Sequence, residues 1–97
     1  MYAIAIVRYR KPLEEVTTII AEHRAYLGGL KKQGLLVAAG PLEPWHGGAL
    51  LLRVPDEGAD AALTAIRDGD PYIKAGLVQY EILPWKPVLG MDGLDTL

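Results

Sequence analysis

The sequence lacks four residue types, and the absence of two of them excludes whole classes of enzyme. It contains no Cys, no Phe, no Ser and no Asn. The absence of Cys excludes disulfides, thiolate nucleophiles and cysteine-ligated zinc or iron–sulfur sites. The absence of Ser excludes a Ser-His-Asp hydrolase, so the hydroxyl groups that remain are those of four Thr and five Tyr.

Strong charge and long apolar runs are also lacking. The chain carries 10 basic and 12 acidic side chains, which gives no electrostatic drive toward nucleic acid or anionic lipid. No apolar run approaches the roughly 18 residues of a membrane span, and the first residues show neither a basic leader nor a small-residue cleavage site. We therefore expect a soluble, cytoplasmic protein that binds neither nucleic acid nor membrane.

Apolar residues, in contrast, are abundant. They make up 51% of the 97 residues, and a chain of this length is expected to form one domain, residues 1–97, with one core. Because a small core cannot hold so many apolar side chains, part of them should be buried against another chain.

The local patterns predict a βαββαβ order. Strand-like apolar runs lie at residues 2–9, 35–39, 48–54 and 77–83. Helical spacing and caps predict a helix over 11–33, a second that ends near 67, and a short turn of helix over 71–74. Gly40-Pro41 is expected to end the second strand, and residues 86–97 are expected to form an irregular tail.

This order predicts an α+β, ferredoxin-like fold, with a four-stranded antiparallel sheet and both helices on one face. The first and third strands are apolar on both sides of the pleat. The face without helices therefore needs a cover, and a second copy of the chain is the simplest one, which predicts a homodimer with its sheets face to face.

Two residues are candidates for acid/base chemistry. His23 lies at the centre of the apolar stripe of the first helix and so points at the sheet. It is either a core histidine bonded to a backbone carbonyl or a general acid/base. Asp70 precedes Pro71, so it is either an ordinary helix N-cap or the carboxylate that orients an imidazole.

Short motifs follow one another along almost the whole chain. They are His23-Arg24-Ala25-Tyr26-Leu27, Gly34 with Leu36, Ala39-Gly40-Pro41, Gly48, Asp70-Pro71-Tyr72 with Ala75-Gly76-Leu77, and Pro84-Trp85. None is specific alone, but in this order and spacing they resemble the YCII-related (YciI-like) family. The resemblance implies a dimeric α+β barrel of ferredoxin-like subunits, akin to muconolactone isomerase, with an active site around His23 and Asp70.

Other residues are candidates for the walls of a binding site. Tyr26, Tyr72 and Trp85 could line an aromatic-friendly cavity, although aromatics at such positions are usually core. Gly40 and Pro41 either end a strand or let a ligand approach the backbone closely. Any of three arginines, Arg8, Arg24 and Arg53, could attract a substrate carboxylate, with a solvated edge as the default for each.

Neither the loop at Trp45-His46 nor the spacing of the two histidines indicates a metal site. Trp45-His46 lies in the loop before the third strand and is more often an exposed turn than a cover for a pocket. His23 and His46 are the only histidines and have no metal-ligand spacing, and no phosphate-binding glycine loop is present. We therefore expect no metal and no cofactor.

Together these features predict a small acid/base enzyme of the lyase or isomerase type. Its substrate would be a small cyclic or phenolic molecule, with His23 as the acid/base and Asp70 as its partner. The alternative is a dimer that binds or senses a small molecule without catalysis. RNA binding shares the element order, but the third strand has no aromatic residue to stack on a base.

Overall fold

The computed structural model of the chain describes residues 1–44 and 46–96. The strands are β1 (Tyr2–Tyr9), β2 (Leu36–Leu42), β3 (Gly47–Arg53) and β4 (Val78–Trp85). The helices are α1 (Leu13–Val16), α2 (Ile20–Lys32), α3 (Ala59–Gly69), α4 (Pro71–Lys74) and α5 (Met91–Asp95), with a 3₁₀ turn at Thr17–Ile19 between α1 and α2.

The strands form one antiparallel sheet in the order β2-β3-β1-β4. Alternate residues of β1, namely Ala3, Ala5 and Val7, are buried in the core together with Leu30 of α2 and Leu63 of α3. This arrangement confirms the predicted ferredoxin-like α+β fold, in which the helices cover one face of a four-stranded sheet.

The first helical segment is interrupted, whereas the sequence predicts one helix over 11–33. Thr17 and Thr18 donate hydroxyl hydrogen bonds to the carbonyls of Glu14 and Glu15, at 3.2 and 2.6 Å. Threonine hydroxyls that bond to the preceding turn compete with regular helical geometry. The chain therefore passes through a 3₁₀ turn before α2 begins at Ile20.

The prediction that Gly40-Pro41 ends the second strand is wrong. β2 continues to Leu42, with Pro41 opposite Gly48 of β3. Proline removes a donor from the sheet and is tolerated on an edge strand, and β2 lies at the edge. The same reason allows β4, the other edge strand, to extend through Pro84 to Trp85.

The sequence predicts an irregular tail over residues 86–97, but the helix α5 forms within it. Its Asp95 accepts a hydrogen bond from the hydroxyl of Tyr2 at 3.1 Å, and Arg53 donates to the carbonyl of Leu94 at 3.4 Å. α5 is therefore attached to one end of β1 and β3. Within the described residues, no helix is both long and apolar enough to cross a membrane.

The sheet face opposite the helices remains apolar. Ile4 of β1 pairs with Leu51 of β3 on one side and with Leu83 of β4 on the other. Leu83 is 44% exposed and the nearby Trp85 is 40% exposed. We call this surface, formed by Ile4, Ile6, Leu51, Leu83 and Trp85, the open sheet face.

Candidate active site

Asp70 is the one charged residue in the core among the described residues, and three groups donate hydrogen bonds to it. It is the N-cap of α4, with Pro71 at the first helical position, and its side chain is fully buried. Its Oδ1 accepts from the backbone N–H of Tyr72 and from Nδ1 of His23, both at 2.9 Å. Its Oδ2 accepts from the hydroxyl of Tyr80. The helix cap and the contact with imidazole thus coexist in one residue.

His23 lies on α2, and its ring is held on two sides. The side chain is 14% exposed, and the ring stacks on Tyr72 with centroids 3.9 Å apart and planes at 10°. Because a carboxylate only accepts hydrogen bonds, Nδ1 carries the proton that it shares with Asp70. In the neutral ring, Nε2 then has a free lone pair on the opposite edge.

A cavity of about 450 Å³ opens beside this pair, and His23 is part of its wall. Its other lining residues are Val7, Tyr9, Leu13, Thr17, Ile20, Arg24, Leu27, Ala39, Gly40, Pro41, Gly47, Gly48, Leu50 and Tyr72. The sequence-predicted residues His23, Gly40, Pro41 and Tyr72 are therefore brought together around one space. Asp70 stands behind His23, out of the cavity.

Gly47 is one of the residues that line the cavity, and a side chain at its position is excluded for a steric reason. A Cβ at Gly47 would lie 1.7 Å from the carbonyl oxygen of Val7, and the φ of Gly47 is +156°. No side chain fits between β3 and β1 at this position. At this position the cavity is therefore lined by backbone without a side chain.

Tyr26 does not share in this cavity, in contrast to its assignment from the sequence as a substrate-binding residue. Its hydroxyl donates to the carbonyl of Ile66 in the last turn of α3 at 2.6 Å. Burial, and secondly the charge of Asp70, raise the pKa of Tyr26. This hydrogen bond joins α2 to α3, and so it helps to set the position of His23 relative to Asp70.

Tyr72 and Tyr9 bring two phenols to the cavity wall. Their rings meet edge to face, with centroids 6.4 Å apart. Burial raises the pKa of Tyr72 to about 12, helped by Tyr9 and by Asp70, while the charge of Arg24 acts in the opposite direction. The Tyr72 hydroxyl therefore remains protonated at neutral pH and is available as a hydrogen-bond donor.

The model of the YCII-related domain matches residues 1–86. The chain belongs to this family. Among solved structures it resembles the 5-chloro-2-hydroxyhydroquinone dehydrochlorinase TftG from Burkholderia phenoliruptrix AC1100, in complex with 2,5-dihydroxybenzoquinone. The TM-score is 0.75 at 22% identity, over 91% of this chain and 96% of that one. No functionally curated protein matches the chain.

Sequence reasoning on this YCII-related chain missed Tyr80. Burial, and then the hydrogen bond to Asp70, raise the pKa of Tyr80 well above its ordinary value. The signal was present, because Val78, Tyr80 and Ile82 alternate along β4 and so share one face. A tyrosine on the core side of an edge strand requires a hydrogen-bond partner, and Asp70 is that partner.

Metal-ligand chemistry has no cluster to support it in the part of the chain that the structure describes. No group of three or more His, Asp or Glu side chains comes together within residues 1–44 and 46–96. His46 is exposed on the loop before β3, and its carbonyl accepts a hydrogen bond from the N–H of Tyr9 at 2.9 Å. Trp45, its neighbour in the candidate loop, lies outside the described residues.

Proposed function

We propose that the protein is a small acid/base enzyme of the lyase or isomerase type. It acts on a small cyclic or phenolic molecule in the cavity beside His23. The observation that carries the proposal is the pair itself: His23 lines the cavity, while its Nδ1 lies 2.9 Å from a fully buried carboxylate. A buried acid that orients an imidazole at a ligand-sized cavity is the arrangement that general base catalysis needs.

The chemistry follows from the tautomer. Nε2 of His23 takes a proton from a C–H or O–H group of the substrate, and Asp70 stabilises the imidazolium that forms. In an elimination, the electron pair of the broken bond forms a new double bond, and the leaving group departs with its own bonding pair. In an isomerisation, His23 returns the proton to another position of the same molecule. Neither route requires a metal.

The substrate class is supported by the cavity and by the relative. Most of the lining residues are apolar and a few carry hydrogen-bond donors, which suits a small ring compound with polar substituents. TftG, which shares the fold, is a dehydrochlorinase of a chlorinated hydroxyhydroquinone and was solved with a quinone bound. The two chains are 22% identical, so we carry over a ring-shaped substrate and not that compound.

A second function, binding or sensing without catalysis, is favoured by one observation. Every buried side-chain N or O atom of the described residues has a hydrogen-bond partner, so the pair also satisfies a purely structural role. The two functions differ in one outcome: a sensor is stabilised by its ligand, as any binder is, but releases no product.

A turnover screen separates these functions. The purified protein is incubated with hydroxylated and halogenated ring compounds, including 2,5-dihydroxybenzoquinone, and both melting temperature and products are recorded. Enzymatic function predicts product formation that His23→Gln abolishes. The matched control is His46→Gln, which removes the other, exposed histidine and should leave turnover intact. Thermal shifts without product for any compound would favour the sensor.

The proposal includes a homodimer that buries the open sheet face. Two-sided apolar strands and the exposure of Leu83 and Trp85 support it, and an obligate interface would bury about 2,000 Å² or more. Sedimentation should show a dimer at micromolar concentration, and Leu51→Glu should dissociate it. A well-folded monomer of the unaltered chain would contradict this.

The proposed chemistry uses no metal, so we expect activity to survive treatment with a chelator. We also expect the protein in the cytoplasmic fraction of cells.

A further inference from the structure

The cavity has an unbalanced charge. Among the described residues that line it, Arg24 is the only one with a permanent charge, and none is a carboxylate. Two other arginines are paired with acids, Arg8 with Glu81 at 2.8 Å and Arg67 with Asp68 at 2.9 Å. Arg24 forms no hydrogen bond or ion pair with any residue in 1–44 or 46–96. Arg24 is exposed, so its five donors lie at the solvent-accessible edge of the cavity, where water or a ligand can accept their hydrogen bonds.

The phenols of the same wall also lack acceptors. Within the described residues, neither the Tyr9 nor the Tyr72 hydroxyl has a hydrogen-bond partner. Tyr72 is only 2% exposed, yet its hydroxyl is not among the buried, unpartnered atoms. The hydroxyl is therefore open to the cavity and not sealed in the core.

These donors line one cavity, and the rings of Tyr9 and Tyr72 meet there with centroids 6.4 Å apart. Arg24 directly follows His23 in α2 and lines the same cavity. Tyr72 in turn carries the stacked ring of His23. The donors therefore share the cavity with the candidate base, and apolar residues such as Leu13 and Leu27 also line it.

From this arrangement we infer that the ligand is a ring compound bearing an ionised oxygen acid, a carboxylate or an acidic phenol, whose charge is bound by Arg24. The inference deepens the proposed function and rests on the cavity being its ligand site. Arginine suits planar oxygen anions because its donors are paired in one plane. When His23 takes up a proton, the new positive charge lies beside the anion and stabilises it.

Isothermal titration with matched probes tests the inference. Benzoate is compared with benzamide, which has nearly the same shape and no charge, and para-nitrophenolate with para-nitroanisole. The unaltered protein should bind each anion about tenfold or more tightly than its neutral partner. Arg24→Gln should abolish the preference, and Arg24→Lys should keep part of it because the charge remains without the planar pair of donors. The preference should also weaken at high salt.

The control is Lys31→Gln, which removes one positive charge from an exposed position of the same helix, away from the cavity. It should bind both anions as the unaltered protein does. Preference for benzoate alone or for nitrophenolate alone identifies which acid the site accepts, and either supports the inference. Equal binding of anion and neutral partner, no binding of either, or an unchanged preference in Arg24→Gln would overturn it.

The same measurements keep this inference separate from the proposed function. Binding is measured without turnover, so an anion preference that depends on Arg24 can stand even if no compound is converted. Conversely, turnover that depends on His23 with neutral compounds would leave the enzyme proposal intact and refute the anionic substrate class.

Discussion

Replacing Gly69 with alanine tests how α2 and α3 are joined behind the His23–Asp70 pair. Gly69 is the last residue of α3 and directly precedes Asp70. A Cβ at this position would lie 2.6 Å from the hydroxyl oxygen of Tyr26 and 3.1 Å from two ring carbons. That hydroxyl is itself held at 2.6 Å by the carbonyl of Ile66. Tyr26 therefore has to move, and its hydrogen bond has to break or lengthen.

The magnitude follows from three contributions. Alanine is favoured over glycine in a helix by up to about 1 kcal/mol. Loss of the Tyr26 hydrogen bond leaves a helix-end carbonyl without its partner, which costs about 1–3 kcal/mol, and crowding at a packed contact costs about 1–3 kcal/mol. The free energy of unfolding should thus fall by about 1–6 kcal/mol, whereas helix propensity alone predicts a rise.

Urea unfolding measures this change, and the chain offers a matched control. Gly28 lies inside α2, and a Cβ there meets nothing within 4 Å, so Gly28→Ala should stabilise the protein by about 0.5–1 kcal/mol. Removing the clashing hydroxyl with Tyr26→Phe should reduce the cost of Gly69→Ala, giving a coupling of about 1 kcal/mol or more in a double-mutant cycle. A Gly69→Ala protein as stable as Gly28→Ala would refute the reasoning.

Three further predictions follow from the site and the sheet. Asp70→Asn should reduce turnover about a hundredfold or more but change the free energy of unfolding by no more than about 2 kcal/mol. The reason is that an asparagine can keep Oδ1 for His23 and for the helix cap, while its amide donates to Tyr80. Kinetics and urea unfolding on one preparation check this, and equal losses of activity and folded protein would contradict it. The pKa of Tyr72 is raised to about 12 from 10.0, so the protonated Tyr72 hydroxyl contributes its full stability below pH 10, and this contribution is lost as pH rises toward 12. Unfolding measured against pH, together with phenolate absorbance, should show that stability falls as Tyr72 ionises. Unchanged stability across that range would contradict this. Gly47→Ala should prevent folding or cost more than about 4 kcal/mol of unfolding free energy, because the added carbon overlaps the Val7 carbonyl. The control is Gly34→Ala, at a position with positive φ but open space, which should cost only about 1 kcal/mol. Similar losses in both variants would contradict the steric argument.

The sequence determined the element order and the inward direction of His23. Both depend on local features, which are apolar spacing along a strand or helix and the cap Asp70-Pro71, whose hydrogen bond to the Tyr72 amide is present in the structure. Such features depend on neighbours a few residues apart, so they can be recognised without the fold. The family motifs added the suggestion that His23 and Asp70 belong together.

The tertiary structure decided which side chains meet. His23 and Asp70 are 47 residues apart, and their contact depends on how α2 crosses the start of α4. The same crossing turns Tyr26 toward α3 and away from the cavity, although it stands only one helical turn from His23. Tyr80 reaches Asp70 because β4 pairs with β1 at the sheet edge, and that edge position is also why prolines in β2 and β4 do not end their strands. Contacts across elements depend on the packing angles and register of the whole domain, which no local pattern specifies.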